Sequence, residues 1–409
     1  MPSPAHPAHS PHRGGLGRAR LSVALVFAVH GAVTGSFATR IPALQERLHL
    51  SPGQLGLALV MPAVGASLAM PLAGRITHRL GARAAIRLLL SLWCLSLALP
   101  ALAPGLPWLC LALLVYGGTS GMADVSMNAE GVEVEHRMGK SIMSGLHGMW
   151  SLGGLLASGF GALAAHQHLD ARLHLALAAG VLFLLGQLVC TGLLDVRPEP
   201  EAQAPPRFAL PPRSALAIGL VGFCAVFAEG AGVDWSSVYL RDLTGAAAGT
   251  AAVAYSAFAG TMAVARLAGD LAVRRLGPVR AVRTGGAVAA GGGVLVVLAT
   301  SPAVAIPGFA LLGIGVAVVV PLAFAAAGRA GPNPSQAIAG VATVTYTSGL
   351  IAPAIVGTIA QAASLRVSFT VVTALAAALT VTAGALRPAG SRRAAGSEPG
   401  ARTEEPTGV

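Results

Sequence analysis

Long apolar stretches, separated by short polar segments, follow one another along nearly the whole chain. The first runs from about Leu21 to Thr39, and eleven more come after it. Most have close to twenty residues, which is the length that a helix needs to cross about 30 Å of hydrocarbon. The pattern therefore predicts an all-α membrane protein with about twelve transmembrane helices. The later stretches cover residues 53–73, 84–103, 107–128, 141–165, 173–194, 214–238, 249–270, 282–300, 303–327, 337–360 and 365–386.

The amino-acid composition agrees with a membrane-embedded chain. Hydrophobic residues make up 54% of the 409 residues and charged residues 11%, whereas soluble domains carry about 25% charged residues. The first stretch could also be a secretory signal peptide, because Ser36-Phe37-Ala38 resembles a cleavage site. We expect an uncleaved helix, since the repeat described next needs this stretch as its first member.

The chain divides into two similar halves. When the sequence is shifted by about 196 residues, Arg79 falls on Arg275 and Gly81 falls on Gly277. A segment rich in proline and charged residues separates the sixth and seventh stretches, which indicates a linker. We predict two pseudo-symmetric six-helix halves that enclose a central cavity. The predicted boundaries are a disordered tail at 1–20, a first half at 21–194, a cytoplasmic linker at 195–213, a second half at 214–386 and a disordered tail at 387–409.

Basic residues are unevenly distributed between the two sides of the predicted membrane. The formal net charge is +11, and about 21 basic residues fall on one side against five on the other. Because positive residues are enriched on the cytoplasmic side, both termini are expected in the cytoplasm and the protein in the cytoplasmic membrane. The basic residues are not interleaved with aromatic residues, which argues against nucleic acid as a partner.

One polar loop carries a recognisable spacing of glycines and bases. It runs from Gly74 to Arg83, with Arg79 and Gly81 between them. These four residues match the loop signature of the major facilitator superfamily, a large family of membrane transporters. His78 stands where that signature has an acid.

The corresponding loop of the second half supplies the acid that the first loop lacks. Asp270 precedes a basic pair that includes Arg275, and the loop ends at Gly277. The chain thus resembles the superfamily over nearly all of residues 19–387. The resemblance implies the major facilitator fold, in which such loops pair charges across the cytoplasmic face and bias the balance between outward-open and inward-open states. A purely topogenic role of these arginines is the alternative.

Three shorter segments resemble the YbjJ-type branch of that superfamily. They run from Arg40 to Pro42, from Asp124 to Asn128 and from His147 to Ser151. Two features of the multidrug–proton antiporters are missing, an arginine near the start of the fourth stretch and a Gly-Pro pair in the fifth. This makes the export of drugs a weaker hypothesis than the transport of a polar solute.

Polar residues concentrate on two helical stripes between positions 117 and 158. On the first, two glycines lead to Asp124 and Asn128, all within roughly 60° at about 100° per residue. On the second lie His147, Trp150 and Ser151. A charged turn is expected between the stripes, at residues 130–140. We predict that both stripes contribute to the central cavity.

Few ionisable residues lie inside the apolar stretches, and each is a functional candidate because an unpaired charge in the bilayer is costly. The candidates for proton coupling are Glu229, Asp124, Asp234 and His30. Glu229 is the first choice, because its own helix offers it little to pair with, and a buried carboxylate can bind and release a proton between states. Asp124 could instead make a structural bond to a neighbouring backbone group or to the loop, and His30 could make a hydrogen bond between helices.

Two further pairs of residues are singled out by their spacing. Arg266 and Asp270 are four residues apart on one helix and are expected to neutralise each other. Trp150 and Tyr346 occupy equivalent places in the two halves and could stack on a ring-bearing solute, with plain packing as the alternative. The predicted lining of the substrate cavity is Asn128, His147, Trp150, Ser151, Thr343 and Tyr346.

The sequence shows no Walker loop, nucleophile elbow or zinc motif, so ATP hydrolysis, enzymatic catalysis and a resident cofactor or metal are not expected. Glu130, Glu133, Glu135 and His136 could be drawn as a metal cluster, but a solvated turn is the simpler interpretation.

The prediction is a monomeric secondary transporter that moves a small polar solute together with protons. A proton-driven exporter of drugs or metabolites and a transporter-like sensor without flux stay open as alternatives.

The predicted topology can be tested with single cysteines placed in a variant that lacks the four native ones. A Glu201→Cys substitution in the linker is expected to react with an impermeant maleimide only after the cells are permeabilised. Gly105→Cys, between the third and fourth stretches, is expected to react in intact cells. Labelling of both from the same side would contradict the twelve-span prediction.

Overall fold

The computed structural model describes residues 13–139, 142–195, 213–327, 329 and 334–387, apart from some side chains within these ranges. These residues form α-helices joined by short turns, and no strand occurs among them. Two 3₁₀ turns follow α8 and α15. The helices are α1 (Arg13–Ala38), α2 (Ile41–Arg47), α3 (Pro52–Leu80), α4 (Ala82–Ser96), α5 (Leu99–Leu102), α6 (Leu106–Met138), α7 (Met143–His166), α8 (Ala171–Val189), α9 (Arg213–Thr244), α10 (Ala248–Leu276), α11 (Pro278–Leu298), α12 (Pro302–Val316), α13 (Val319–Ala327), α14 (Pro334–Ala362) and α15 (Leu365–Thr382).

Twelve helical segments of the described residues are long and apolar enough to cross a membrane, which confirms the predicted number of spans. Three of these segments each combine two helices of the list: α1 with α2, α4 with α5, and α12 with α13. The first crossing begins earlier than expected, since α1 already starts at Arg13 within the predicted tail at 1–20. The predicted linker lies mostly outside the described residues, and so does the C-terminal tail beyond residue 387.

The charged segment expected to be a turn is helical over residues 130–138. These residues form the last turns of α6, a helix of 33 residues that ends at Met138. At 1.5 Å per residue such a helix is about 50 Å long, well beyond the roughly 30 Å of the hydrocarbon core. The sequence interpretation ended the helix where its apolar stretch ended, whereas the backbone hydrogen bonds continue into the polar region.

Helices pack in pairs within each half. In the first half α1 lies against α7 and α3 against α6, and in the second half α9 lies against α14 and α11 against α12 and α15. The two halves meet along α3 with α14 and along α7 with α10. The halves are thus joined by two pairs of helices, one on each side of a central space.

Small residues allow the backbones of α3 and α6 to approach closely. A methyl group added to Gly117 would collide with the backbone of Pro62, and one added to Gly65 would collide with the carbonyl of Leu114. Glycine stripes of this kind are how membrane helices gain van der Waals contact without a hydrophobic driving force. The glycines that precede Asp124 on α6 therefore serve helix packing and carry the polar residues to the centre of the bundle.

The two halves are fastened to each other at the end of the bundle that carries α2. Arg241 of α9 forms an ion pair with Glu46 of α2. The side-chain oxygen of Gln361 accepts hydrogen bonds from the Ser51 hydroxyl at 2.8 Å and from the Gly53 amide at 2.9 Å. The orientation predicted from the basic residues would place this end outside the cell.

Gly117→Ala is expected to destabilise the protein by about 1–3 kcal/mol, because the added methyl group must displace the backbone of α3. Gly159→Ala on α7 is the matched control, since nothing lies within 4 Å of its added methyl group. Alanine favours a helix over glycine at both positions. Thermal unfolding in detergent compares the two variants, and an equal midpoint for both would rule out the close approach of α3 and α6.

Candidate functional site

A cavity of about 340 Å³ lies between the two halves in the middle of the bundle. Helices α1, α3, α6 and α7 of the first half and α9 and α10 of the second contribute to its wall. Its volume is within the range of small-molecule sites. Its polar and aromatic lining includes His30, Asp124, His147, Trp150, Glu229 and Arg266.

Six of the residues singled out in the sequence therefore meet in one place. Asn128 and Ser151 do not line the cavity themselves but bond to residues that do. The Asn128 side-chain amide donates to Asp124, and the Ser151 hydroxyl donates to the carbonyl of His147 at 3.2 Å. Asp234 and Thr343 are not part of the lining of this cavity. The side chain of Tyr346 lies outside the described residues, so the proposed stacking opposite Trp150 stays a prediction.

Glu229 has a fixed partner, contrary to the expectation from its own helix. Nη2 of Arg266 lies 2.8 Å from one oxygen of the Glu229 carboxylate and 3.0 Å from the other. The Nε of Arg266 also donates to the carbonyl of Ala317 at 3.3 Å. The side chain of Glu229 is 23% exposed and that of Arg266 is 29% exposed. The two therefore form a partly buried, charge-assisted pair between α9 and α10.

The expected pairing of Arg266 with Asp270 stays a prediction. The side chain of Asp270 lies outside the described residues, while the guanidinium of Arg266 is directed across to Glu229. Spacing along one helix identifies neighbours on the same face. Such spacing gives no information about a carboxylate that lies 37 positions earlier, on an adjacent helix.

Asp124 faces the cavity without a cationic partner among the described residues. One of its carboxylate oxygens accepts a hydrogen bond of 3.1 Å from the side-chain amide of Asn128, which also donates to the Asp124 carbonyl at 2.9 Å. The three ion pairs of the described residues do not include Asp124. Within the described lining, it is therefore the carboxylate whose charge no base neutralises.

His30 is held on both ring nitrogens. The indole N–H of Trp150 donates to its Nδ1 at 3.1 Å, so the ring proton is assigned to Nε2, which lies 3.4 Å from the carbonyl of Ser120. The ring also stacks on Trp93, with centroids 5.1 Å apart. This neutral imidazole ties α1 to α6 and α7, which agrees with the structural alternative considered for it.

The two signature loops share one backbone conformation. Gly81 between α3 and α4 has φ 82°, and Gly277 between α10 and α11 has φ 75°. This left-handed region favours glycine and produces the same sharp turn at matching places in both halves. Arg83 donates two hydrogen bonds, of 2.9 and 2.7 Å, to the carbonyl of Leu193 at the end of the first half.

The other residues of these loops carry no further contact to support a switching role. Gly74, His78, Arg79 and Arg275 are exposed, and the side chain of Asp270 is not described. Their part in the balance between conformations stays a prediction.

Two charged residues beside polar segments are buried, and the assignment of one of them was wrong. Arg40 is 3% exposed and donates to Nδ1 of His174 and to the carbonyl of Leu169, both at 3.0 Å. Glu130, assigned to a solvated turn, is also 3% exposed and accepts from the amide of Leu194 at 2.7 Å. Their sequence signal was weak, because each lies next to a polar segment where exposed charges are the norm.

The acidic group around Glu130 shows no sign of a metal site in the described part of the chain. Glu135 accepts hydrogen bonds from the amides of Ile142 and Met143 at 2.6 and 3.0 Å, so it caps the start of α7. Glu133 pairs with Arg137 one turn later at 2.6 Å. These carboxylates organise the polar end of α6.

Comparison with known proteins decides the family. Residues 23–349 match the model of the Major Facilitator Superfamily. The chain belongs to the major facilitator superfamily. It is 33% identical over 367 residues to the uncharacterized transporter y4wD of Sinorhizobium fredii. This match covers 89% of this chain and 97% of that protein. An uncharacterized MFS-type transporter of Yersinia pestis is 36% identical over 351 residues, or 86% of this chain and 91% of that protein.

Solved structures of major facilitator transporters have the same fold. A mutant of the nucleoside transporter NupG superimposes with a TM-score of 0.74 at 11% identity, covering 90% of this chain and 99% of that one. A bacterial homologue of the human lysosomal transporter Spinster, in an inward-facing and occupied conformation, gives 0.72 at 15% identity, covering 91% and 98%. The major facilitator fold predicted from the loop signature is confirmed, and the protein is a multi-pass membrane protein of a transporter family.

The Glu229–Arg266 pair can be tested by a double-mutant cycle with Glu229→Gln, Arg266→Gln and both together. Each single variant leaves one charge in the cavity unpaired, so the double variant is expected to be less destabilised than the sum of the singles, with a coupling of about 1 kcal/mol. Thermal unfolding of the purified proteins measures it. Strict additivity would show that the two side chains do not interact.

Proposed function

We propose that this protein is a secondary active transporter that moves a small polar solute across the cytoplasmic membrane by alternating access, coupled to protons. The observation that supports it most directly is the cavity between the halves, where Asp124 and the Glu229–Arg266 pair face each other across the boundary. Family membership supplies the general activity, and the lining of the cavity suggests the chemistry of the solute.

Alternating access is supported by the way in which the halves are joined. The contacts at the α2 end are an exposed ion pair and a few hydrogen bonds around Gln361. Exposed ion pairs contribute about 0–1 kcal/mol each. Breaking these contacts therefore requires little free energy, so the halves can separate at this end. We infer that this structure corresponds to the inward-open state, because these contacts lie at the end that the predicted orientation places outside.

A polar solute is supported by the groups that surround the cavity. Two carboxylates, a guanidinium and the His147 imidazole lie close to the indole of Trp150. Polar groups in a cavity lose their solvation when it closes, and a solute that provides hydrogen bonds or charge restores it. An apolar drug would leave these groups unpaired, so the drug-export alternative receives no support from this lining.

Asp124 takes the proton-coupling role in this proposal, in place of Glu229. The original choice depended on Glu229 having no partner, and Arg266 provides one at 2.8 Å. A carboxylate that no base neutralises must be either hydrated or protonated when the cavity closes. Asp124 can thus take up a proton while it is open to one compartment and release it to the other.

The Glu229–Arg266 pair is assigned to solute binding. Both side chains line the cavity, and each has exposed surface to offer a ligand. A solute hydroxyl or charged group can insert between the partners or bond to the outer lone pairs of the carboxylate. The pair is electrically neutral, so it does not itself require a proton before the halves close.

Asp124→Asn is expected to abolish proton-driven accumulation while preserving solute binding and solute-for-solute exchange, because exchange needs no release of the proton. The solute is first found by a thermal-stabilisation screen of sugars, nucleosides, amino acids and carboxylic acids. Transport is then followed in proteoliposomes that contain a pH-sensitive dye. Wild-type accumulation by the Asn variant would remove Asp124 from the proton pathway.

The matched control is Asp170→Asn, which makes the same chemical change at the start of α8. Asp170 caps that helix by accepting from the amide of Arg172 at 2.8 Å, and asparagine caps equally well. Glu229→Gln serves as the contrasting variant and is expected to weaken solute binding, since Arg266 loses its charged partner. A protein that binds a solute from the screen but shows no flux would instead support the sensor alternative.

A further inference from the structure

A second cavity lies on the outer surface of the first half, away from the central site. It has a volume of about 580 Å³ and forms a groove between α7 and α8, with α1 as its floor. Leu156, Phe160 and Leu177 at its rim are 57%, 70% and 56% exposed. Since these helices span the membrane, such apolar side chains face lipid and the groove opens into the hydrocarbon.

The groove is a departure from the symmetry of the two halves. Helices α7 and α8 both pack on α1 but barely touch each other. Their counterparts in the second half, α14 and α15, both pack on α9 and also pack against each other. The first half therefore leaves open a space that the second half fills with its own side chains.

Two polar residues, Ser36 and His174, line this otherwise apolar groove, and His174 lies at its α2 end. His174, in the first turns of α8, lines it and is 8% exposed. Its Nδ1 accepts a hydrogen bond of 3.0 Å from the Nε of Arg40. The ring proton must then be on Nε2, and that N–H makes no hydrogen bond to the described residues.

The guanidinium of Arg40 places a positive charge on the other side of the His174 ring from this donor. Arg40 is 3% exposed, and the ion pairs of the described residues leave it without a carboxylate within 4.0 Å. A buried cation whose hydrogen bonds go to an imidazole and a carbonyl polarises the imidazole and favours an oxygen acceptor with negative charge at Nε2. The end of the groove is thus suited to a phosphate or ester oxygen.

The length of the groove matches an acyl chain. His174 and Val189 mark its two ends on α8, and 189 − 174 = 15 residues of helix correspond to about 22 Å. One leaflet of the hydrocarbon core is about 15 Å deep, half of roughly 30 Å. A complete acyl chain from the leaflet at the α2 end can therefore lie along the groove.

We propose that this groove is a specific phospholipid site, in which one acyl chain lies between α7 and α8 and a phosphate or ester oxygen accepts a hydrogen bond from Nε2 of His174. The site is separate from the central cavity, and it does not depend on the identity of the transported solute. The bound lipid completes the packing between α7 and α8 that the side chains leave open.

The experiment compares delipidated wild-type protein with Ala178→Phe, which fills the groove from α8. Binding of palmitoyl-oleoyl phosphatidylglycerol is measured by native mass spectrometry after titration. One tightly held molecule per chain is expected for the wild type, and about tenfold weaker binding for the variant. The control is Ala176→Phe, two positions away on the same helix, which is exposed but does not line the groove.

Two further arms test the polar contact. His174→Leu removes the donor and is expected to weaken binding, whereas His174→Gln is expected to retain it, because the amide can accept from Arg40 and still donate. Undiminished phospholipid binding by Ala178→Phe, equal losses in both phenylalanine variants, or undiminished binding by His174→Leu would each overturn the proposal.

Discussion

The absence of water in the hydrocarbon core is the constraint on which the rest of this structure depends. Every backbone N–H and C=O there must be satisfied within the protein, and a helix does this inside a single segment. The described residues accordingly consist of helices and short turns, with twelve segments that can span the membrane. Packing between them cannot rely on the hydrophobic effect, so glycines such as Gly117 and Gly65 bring backbones into direct contact.

The same constraint determines where charges can lie. Arg40 and Glu130 are buried and use backbone groups or an imidazole as partners, which makes them parts of the framework. Glu229 and Arg266 neutralise each other at the cavity wall. Asp124 is the exception among the cavity's charged residues, since a single amide from Asn128 is the side-chain partner that the described residues supply. A charge left in this condition needs water, a proton or a solute, and this is why the proposed mechanism centres on it.

The repeat produces two halves with one architecture and different uses. The turns at Gly81 and Gly277 have nearly the same backbone conformation, so the geometry of the loops is common to both. The cavity residues are distributed unequally: Asp124, His30, His147 and Trp150 come from the first half, while the Glu229–Arg266 pair comes from the second. Because the two halves bring different chemistry to the same space, closing them around a solute can combine a proton-sensitive side with a solute-binding side.

The sequence by itself determined the number of spans, the two halves and the family, because hydropathy and the spacing of motif residues are properties of the chain itself. It also indicated most of the polar residues that line the cavity, since a polar side chain in an apolar stretch is conspicuous. The ends of helices were harder to predict from the sequence. In α6, for example, backbone hydrogen bonding continues past the last apolar residues. Only the tertiary structure decided which carboxylate is neutralised. Arg266 reaches Glu229 from another helix, 37 residues away in the chain, and no pattern of neighbouring residues encodes that contact.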